Sequence, residues 1–425
     1  MGRSTIALLV CCAFAAGAAG SAAAESTEST ESESTESEST KSAQAEGDRA
    51  GVAASKRMHP PKKRDQSRAA EAVGSTTQVL DRWKKWLGEK DFLIGFDLAF
   101  YDQYASRVRK GQANAATFAW QLFVDYQIYD FENAGALHVA GTFLGTFGTD
   151  YNPAEDPLSD RVGAISTVNG NVYPNGIAVD EFYAHYLSDD TDWVFALGKL
   201  DMSYFFDTNR VANDAYRQFV SFAFENDLSI PFPIYGGAGA LARWNASEDF
   251  YVMLGAGDAS TDERIPWGNV VNGSWWQLLE AGLTIEPEAL GVGNYRLTGW
   301  HSDSGPGNGF GIGINIAQNL GVSWLVGFFR AGTGDPSQTN VRTALSGGLS
   351  FQGPFGRPND EAGVALSWAD PATGGRDETF GETFYRIALT PRLSLSPGLQ
   401  IVMNPSENLQ DDLSVVGGVR VLWML

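Results

Sequence analysis

The sequence predicts an all-β chain: a transmembrane antiparallel up-and-down β-barrel of sixteen strands, preceded by a disordered N-terminal segment. Three observations carry that reading. Past Asp91 the hydrophobic pattern repeats with a period of two, again and again. The candidate strands mostly run about nine to thirteen residues, close to the ~9–11 that cross a bilayer on a tilt and longer than the ~5–6 usual in soluble sheets. The connections tend to alternate between short and long, the pattern of an outer-membrane barrel with tight turns at one end and extended loops at the other.

The start of the chain reads as an address. Arg3 supplies a positive charge, Ile6 to Ala19 form an apolar stretch of 14 residues, and Ala22-Ala23-Ala24 offers a small-residue cleavage site before Glu25. This three-part pattern predicts a secretory signal peptide over residues 1–24. Both cysteines, Cys11 and Cys12, lie inside it, and Val10 is too large for a lipoprotein cleavage site before Cys11. The exported chain then has no disulfide and relies on its own hydrogen-bonded framework.

Residues 25–75 are expected to stay disordered. Glu25 to Lys41 is almost wholly Ser, Thr and Glu, too poor in apolar surface to offset the entropy of ordering. A basic cluster follows, Lys56, Arg57, Lys62, Lys63 and Arg64 around Pro60-Pro61. It reads as a solvated linker, with contact to an anionic polymer or headgroup as the alternative. Over residues 76–90, Val79, Leu80, Trp83, Trp86 and Leu87 recur at helical spacing and predict one short amphipathic helix.

Composition narrows the class of function. The chain has 425 residues with 48 Gly, 25 Phe, 14 Tyr and 12 Trp, and 19% charged residues. No apolar run reaches the ~18 residues of a membrane helix beyond the first twenty positions, so a helical membrane protein is excluded. The formal charge of −21 repels a polyanion, which argues against nucleic acid as a partner. From Asp91 onward 17 Lys plus Arg stand against 39 Asp plus Glu, a net of −22, so the acidity belongs to the folded part.

Within 91–425 the expected strands are 92–104, 117–129, 135–147, 178–188, 192–200, 237–245, 249–258, 276–286, 293–302, 308–317, 320–331, 342–352, 361–370, 380–390, 393–404 and 413–425. Their two faces separate cleanly. Trp120, Leu122, Val124, Tyr126 and Ile128 oppose Gln121, Phe123, Asp125, Gln127 and Tyr129; Phe182, Ala184 and Tyr186 oppose Glu181, Tyr183 and His185. Short connections include 189–191, 246–248, 318–319 and 391–392; long ones include 105–116, 148–177, 201–236 and 259–275, while 303–307 and 353–360 fit the alternation poorly. An even count puts both ends of the barrel on the short-turn, periplasmic side. In the last strand Val419, Val421, Trp423 and Leu425 share a face, a Leu standing where such barrels usually end on an aromatic residue. Lipid forces closure, because an open edge leaves backbone groups unpaired in hydrocarbon, and sixteen strands enclose room for an aqueous channel.

The third long loop, 201–236, is the longest in the chain and mixes Asp201, Asp207, Asn209, Arg210, Asn213 and Arg217 with aromatic residues. One reading folds it into the lumen as a constriction of opposed carboxylates, amides and guanidinium groups; the other leaves it as an external cap held by pairs such as Asp207–Arg210. Inward strand faces add Glu181, Tyr183, His185, Asp125, Arg386 and Arg392 as lumen candidates, each of which also reads as a wall residue satisfied by its neighbours.

Several segments together carry a resemblance. Gly198-Lys-Leu-Asp201 through Asp207-Thr-Asn209, Ala212-Asn213, Phe219 and Pro231-Phe-Pro233 are similar to the signature of the carbohydrate-selective porins, the OprB family. So are Phe328-Phe-Arg330-Ala-Gly332, Gly356-Arg357-Pro-Asn-Asp360, and Glu382-Thr-Phe-Tyr385-Arg386 continuing through Pro397 to Asn404-Pro405. The resemblance runs in order through roughly 91–425. It implies an outer-membrane channel passing mono- and oligosaccharides passively, with Arg210 and Arg217 in the loop that narrows it. It also implies carbohydrate solutes, outer-membrane lipid and lipopolysaccharide, and a barrel-assembly machinery reading the last strand as partners. Sugar passage suits these residue types: Arg donates in a fixed fork, carboxylates accept, rings stack on C–H faces, and each contact stays weak enough to release.

Catalysis finds little support. His59, His138, His185 and His301 show no metal-ligand spacing, and no nucleophile elbow or P-loop is present, so no enzyme, cofactor or metal is expected. The alternatives are a general or non-sugar solute pore, and a structural anchor with a plugged lumen.

Overall fold

The computed structural model describes residues 84–149, 156–171, 177–190, 192–259, 261, 273–372 and 374–425. The expected signal peptide, the segment 25–75 and residues 76–83 of the expected helix lie outside the described residues; residues 84–88 are helical.

Sixteen strands follow. They are β1 (Phe92–Ala105), β2 (Asn114–Asp130), β3 (Ala136–Gly148), β4 (Ala178–Leu187), β5 (Trp193–Leu200), β6 (Gly237–Asn245), β7 (Phe250–Asp258) and β8 (Trp275–Ile285). The second half comprises β9 (Gly293–Ser302), β10 (Gly309–Asn319), β11 (Leu325–Gly334), β12 (Val341–Gln352), β13 (Glu361–Pro371), β14 (Glu378–Ala388), β15 (Leu393–Met403) and β16 (Leu413–Met424). Each pairs antiparallel with the next, and β16 pairs back onto β1 from Asp97↔Met424 to Ala105↔Val416, closing the barrel. The join is extended by Leu425, whose N–H donates to Phe96 O at 2.8 Å, and by Lys84, whose Nζ donates to Leu425 O at 2.9 Å.

Period two sets the faces. Leu98, Phe118, Phe182, Leu254, Leu297, Ile312, Phe329, Leu345 and Leu399 point outward and are exposed, whereas Asp97, Gln121, Glu280, Asn315, Arg330, Glu382 and Arg420 point inward and are buried. This inverts the arrangement of a soluble sheet, and hydrocarbon is the solvent that favours it. At the short-turn end Trp193 stacks on Phe195 and Trp244, with ring centroids 5.6 and 6.1 Å apart, as in the aromatic girdle at a membrane interface. No described helix is long and apolar enough to cross a membrane.

The strand count and all sixteen positions agree with expectation; the main correction is β11. It starts at Leu325, not at 320, and the turn is 320–324, not 318–319. Gly321 takes a φ of +81° and Leu320 N–H donates back to Leu325 O, closing a turn whose apolar residues continue the strand alternation in the sequence. The two connections that fitted poorly, expected at 303–307 and 353–360, span 303–308 and 353–360 and still take their places at the long-loop and short-turn ends respectively.

The interior departs further from expectation. It is not wet throughout: residues of the long loops and of the inward strand faces form two large apolar clusters. One joins Leu158, Val162, Phe219 and Phe224 to Phe328, Phe380 and Phe384; the other joins Met202, Phe205 and Phe206 to Tyr183, Leu241, Met253, Trp276 and Trp300.

Candidate functional site

The loop between β5 and β6, residues 201–236, lies in the lumen. Its aromatic residues explain why: Phe206, Phe219 and Phe224 are fully buried against the wall, so folding the loop inward removes their surface from water. Phe219 packs on Phe384 (β14) at 5.0 Å between centroids and on Phe328 (β11) at 5.6 Å. The wall leaves room for them with inward-facing glycines. A Cβ on Gly363 (β13) would lie 2.7 Å from the Phe219 ring, and one on Gly332 (β11) would lie 2.2 Å from Asp227 Oδ2 and 2.3 Å from Ser229 Oγ.

Polar anchors then fix the loop around most of the circumference. On β11, Arg330 is 1% exposed; its guanidinium donates to Asp207 O, Phe224 O, Glu225 O and Asn213 Oδ1 and pairs with the Asp207 carboxylate at 3.1 Å. The Asp207 N–H donates to Glu280 (β8) at 2.7 Å, and Asn315 (β10) donates to Asp207 Oδ1 at 2.7 Å. Glu382 (β14) accepts from the N–H groups of Val220 and Ser221. Arg420 (β16) donates to the carbonyls of Ala215, Gln218 and Arg217.

The expected site residues sort into three groups. Asp207, Asn209 and Asn213 are buried anchors, with Asn209 donating to Asn315 Oδ1 at 2.7 Å. Asp201 caps the turn Met202–Tyr204 by accepting from Ser203 N–H, and Glu181 accepts from Thr142 Oγ1 and the Asp201 N–H. Tyr183 packs edge-on to Phe205, 5.9 Å away, and His185 meets Asp125 at 2.7 Å. A third group keeps part of its surface open inside the barrel. Arg210 donates to Val292 O and Asn319 Oδ1 at the short-turn end of β9 and β10; Arg217 holds Asp97 at 2.8 Å and Asp214 at 3.0 Å; Arg386 holds Glu361 at 2.9 Å. The Asp207–Arg210 pair of the external-cap reading does not form, because Asp207 is taken by Arg330.

Sequence reasoning missed the wall side of these contacts. Arg330, Arg420, Glu382, Glu280 and Asn315 all carry an inward strand phase, and that was the available signal. It also missed a cluster at β6–β9: Arg243 stacks over Tyr251 at 3.9 Å, Arg296 Nε donates to Tyr251 Oη, and Tyr251 Oη donates to Glu280 at 2.6 Å. Half-buried guanidinium and phenol groups on one inner surface are suited to hydroxyl-bearing solutes.

One loop carboxyl is unusually placed. Asp227 is buried and lies close to Asp207, so its pKa is pushed up to about 7. The unfolded chain ionises near ~3.9, so this seat contributes stability that is full below that value and lost as pH rises towards about 7. Protection of the loop from added protease is expected to be greater at pH 5 than at pH 8, and Asp227→Asn to flatten the difference. Equal sensitivity at both pH values in the unaltered chain would contradict this placement.

Residues 310–425, from β10 to the end of the described chain, match the model of the carbohydrate-selective porin, OprB family. Over that stretch the chain is similar to this family. That segment contains Arg330, Glu382, Arg386 and Arg420, and so most of the wall that anchors the loop. Among solved structures, the high-pH structure of Pseudomonas putida OprB superposes with a TM-score of 0.69 at 15% identity, over 81% of this chain and 97% of that one. A mutant of the Rh. blastica porin gives 0.50 at 10% identity, over 79% of this chain and all of that one. A search of curated proteins gives no match. The chain thus shares the closed sixteen-stranded barrel fold of these porins.

Proposed function

We propose that the chain forms a passive diffusion channel for mono- and oligosaccharides, narrowed by the loop 201–236. The observation that supports it is the seating of this loop: its buried anchors hold it across the lumen while Arg210, Arg217 and Arg386 keep surface open to the interior. The similarity of residues 310–425 to the carbohydrate-selective porins supports a carbohydrate as the solute. The outward apolar band is the surface for outer-membrane lipid and lipopolysaccharide, the last strand is the assembly signal, and a signal peptide over 1–24 delivers the chain with its N-terminal segment in the periplasm.

Planar-bilayer recording tests this directly. Current steps are expected, partly blocked by added maltose or glucose, and Arg217→Ala is expected to weaken that block, because its guanidinium bridges the loop to β1 beside the open surface. Block that is unaltered in both Arg217→Ala and Arg210→Ala rejects the role given to the loop. A second reading, a structural barrel with a plugged lumen, is favoured by the two interior apolar clusters. Under that reading the recording shows no steps at all.

A further inference from the structure

We infer that Asp125, His138 and His185 form a binding site for one divalent transition-metal cation, with zinc as its representative, on the lumen wall. Three adjacent strands deliver one ligand each. His138 (β3) lies directly opposite His185 (β4), and His138 is opposite Gln127 on β2, which puts Asp125 on the diagonal. All three side chains point inward, and diagonal neighbours are within reach of side chains of this length.

The atoms are already gathered. His138 Nδ1 is 2.8 Å from Asp125 Oδ1, His185 Nε2 is 2.7 Å from Asp125 Oδ2, and the three ligand atoms all lie within 4.8 Å of one another. Zinc bonds to nitrogen and carboxylate oxygen are ~2.0–2.2 Å, so the rings have to close on a central cation by roughly an ångström. The His185 Nδ1 has no hydrogen-bond partner, so that ring is placed by Asp125 and by stacking on His138, with centroids 4.8 Å apart.

Charge favours a metal in this position. A dication neutralises the buried Asp125 carboxylate, which the two rings otherwise meet through one hydrogen bond each. Two imidazoles and one carboxylate select borderline cations over magnesium or calcium, which prefer all-oxygen cages. Three protein ligands leave a further position for water or a passing solute, the arrangement of an open site. The site also has an entrance: the His138 side chain is 16% exposed, while His185 and Asp125 are at 0% and 2%. None of the three anchors the loop 201–236, so the inference stands apart from the sugar-channel reading.

The test is a zinc titration of the full chain, folded in detergent and stripped with EDTA, followed calorimetrically and by metal analysis after gel filtration. One zinc per chain is expected. His138→Ala, His185→Ala and Asp125→Asn are each expected to lose stoichiometric binding, and His301→Ala to retain it. Cobalt(II) gives a second readout through its visible d–d band, expected for the unaltered chain and absent in His138→Ala. Folding is checked by migration of the unheated barrel in gels. His138 is the most exposed ligand, so its variant keeps the test valid if Asp125→Asn fails to fold. No zinc retained by the unaltered chain, or equal retention by a folded His138→Ala variant, overturns the inference.

Discussion

Arg330→Ala is expected to unseat the loop from the lumen. The guanidinium is fully buried, and removing it leaves Asp207 as an uncompensated buried charge and strips three loop carbonyls of their donor. Breaking a buried pair from one side costs about 3–5 kcal/mol. That cost falls on the loop, because β11 keeps its backbone ladder to β10 and β12. The expected results are protease cleavage within 201–236 under conditions where the unaltered chain resists, and larger current steps that sugar no longer blocks. Arg330→Lys is expected to recover little, since one ammonium cannot span acceptors arranged for a planar fork. A variant with unchanged cleavage and unchanged steps would show that the other anchors suffice.

The second large effect is steric. Gly332→Val is expected to displace the same loop, because its Cβ would fall 2.2 Å from Asp227 Oδ2 and 2.3 Å from Ser229 Oγ. These atoms belong to a buried turn, where Ser229 N–H and Oγ both donate to Asp227 Oδ1. They have no open side to retreat to, and overpacking of this kind costs about 1–3 kcal/mol. Gly299→Val is the matched control: it sits on an outward strand phase, and a Cβ there meets nothing within 4 Å. If both variants give the same conductance and the same protease pattern as the unaltered chain, the slot on β11 has no part in seating the loop.

Particular residues show what could be read in advance. The strand phases were readable because period two needs only neighbouring residues: Phe182 outward and Tyr183 inward follow from six letters of sequence. The β10–β11 turn was not, because Leu320 and Val322 keep the alternation going and the only break is the φ of Gly321. The inward seat of the loop was one of the two readings that its length and composition left open. Its anchors were not readable, since Asp207 meets Arg330 and Arg217 meets Asp97 only once the ring has closed. The same holds for His138 and His185. They are far apart in the chain with no ligand spacing, and become neighbours only when the β3–β4 register is known. Nor did the strand count reveal the apolar interior, which arises because loop aromatics fill space that the wall leaves with glycines.

The loop grips β1 through Arg217 to Asp97 and through Ala215 to Tyr101, and it grips β16 through Arg420. Those two strands are the first and the last of the ring, and their pairing joins its ends. The loop is thus a clasp fastened to both sides of the seam from within. Pulling the seam apart sideways requires unfastening the clasp first, so the barrel resists lateral opening at the one place where its two ends meet.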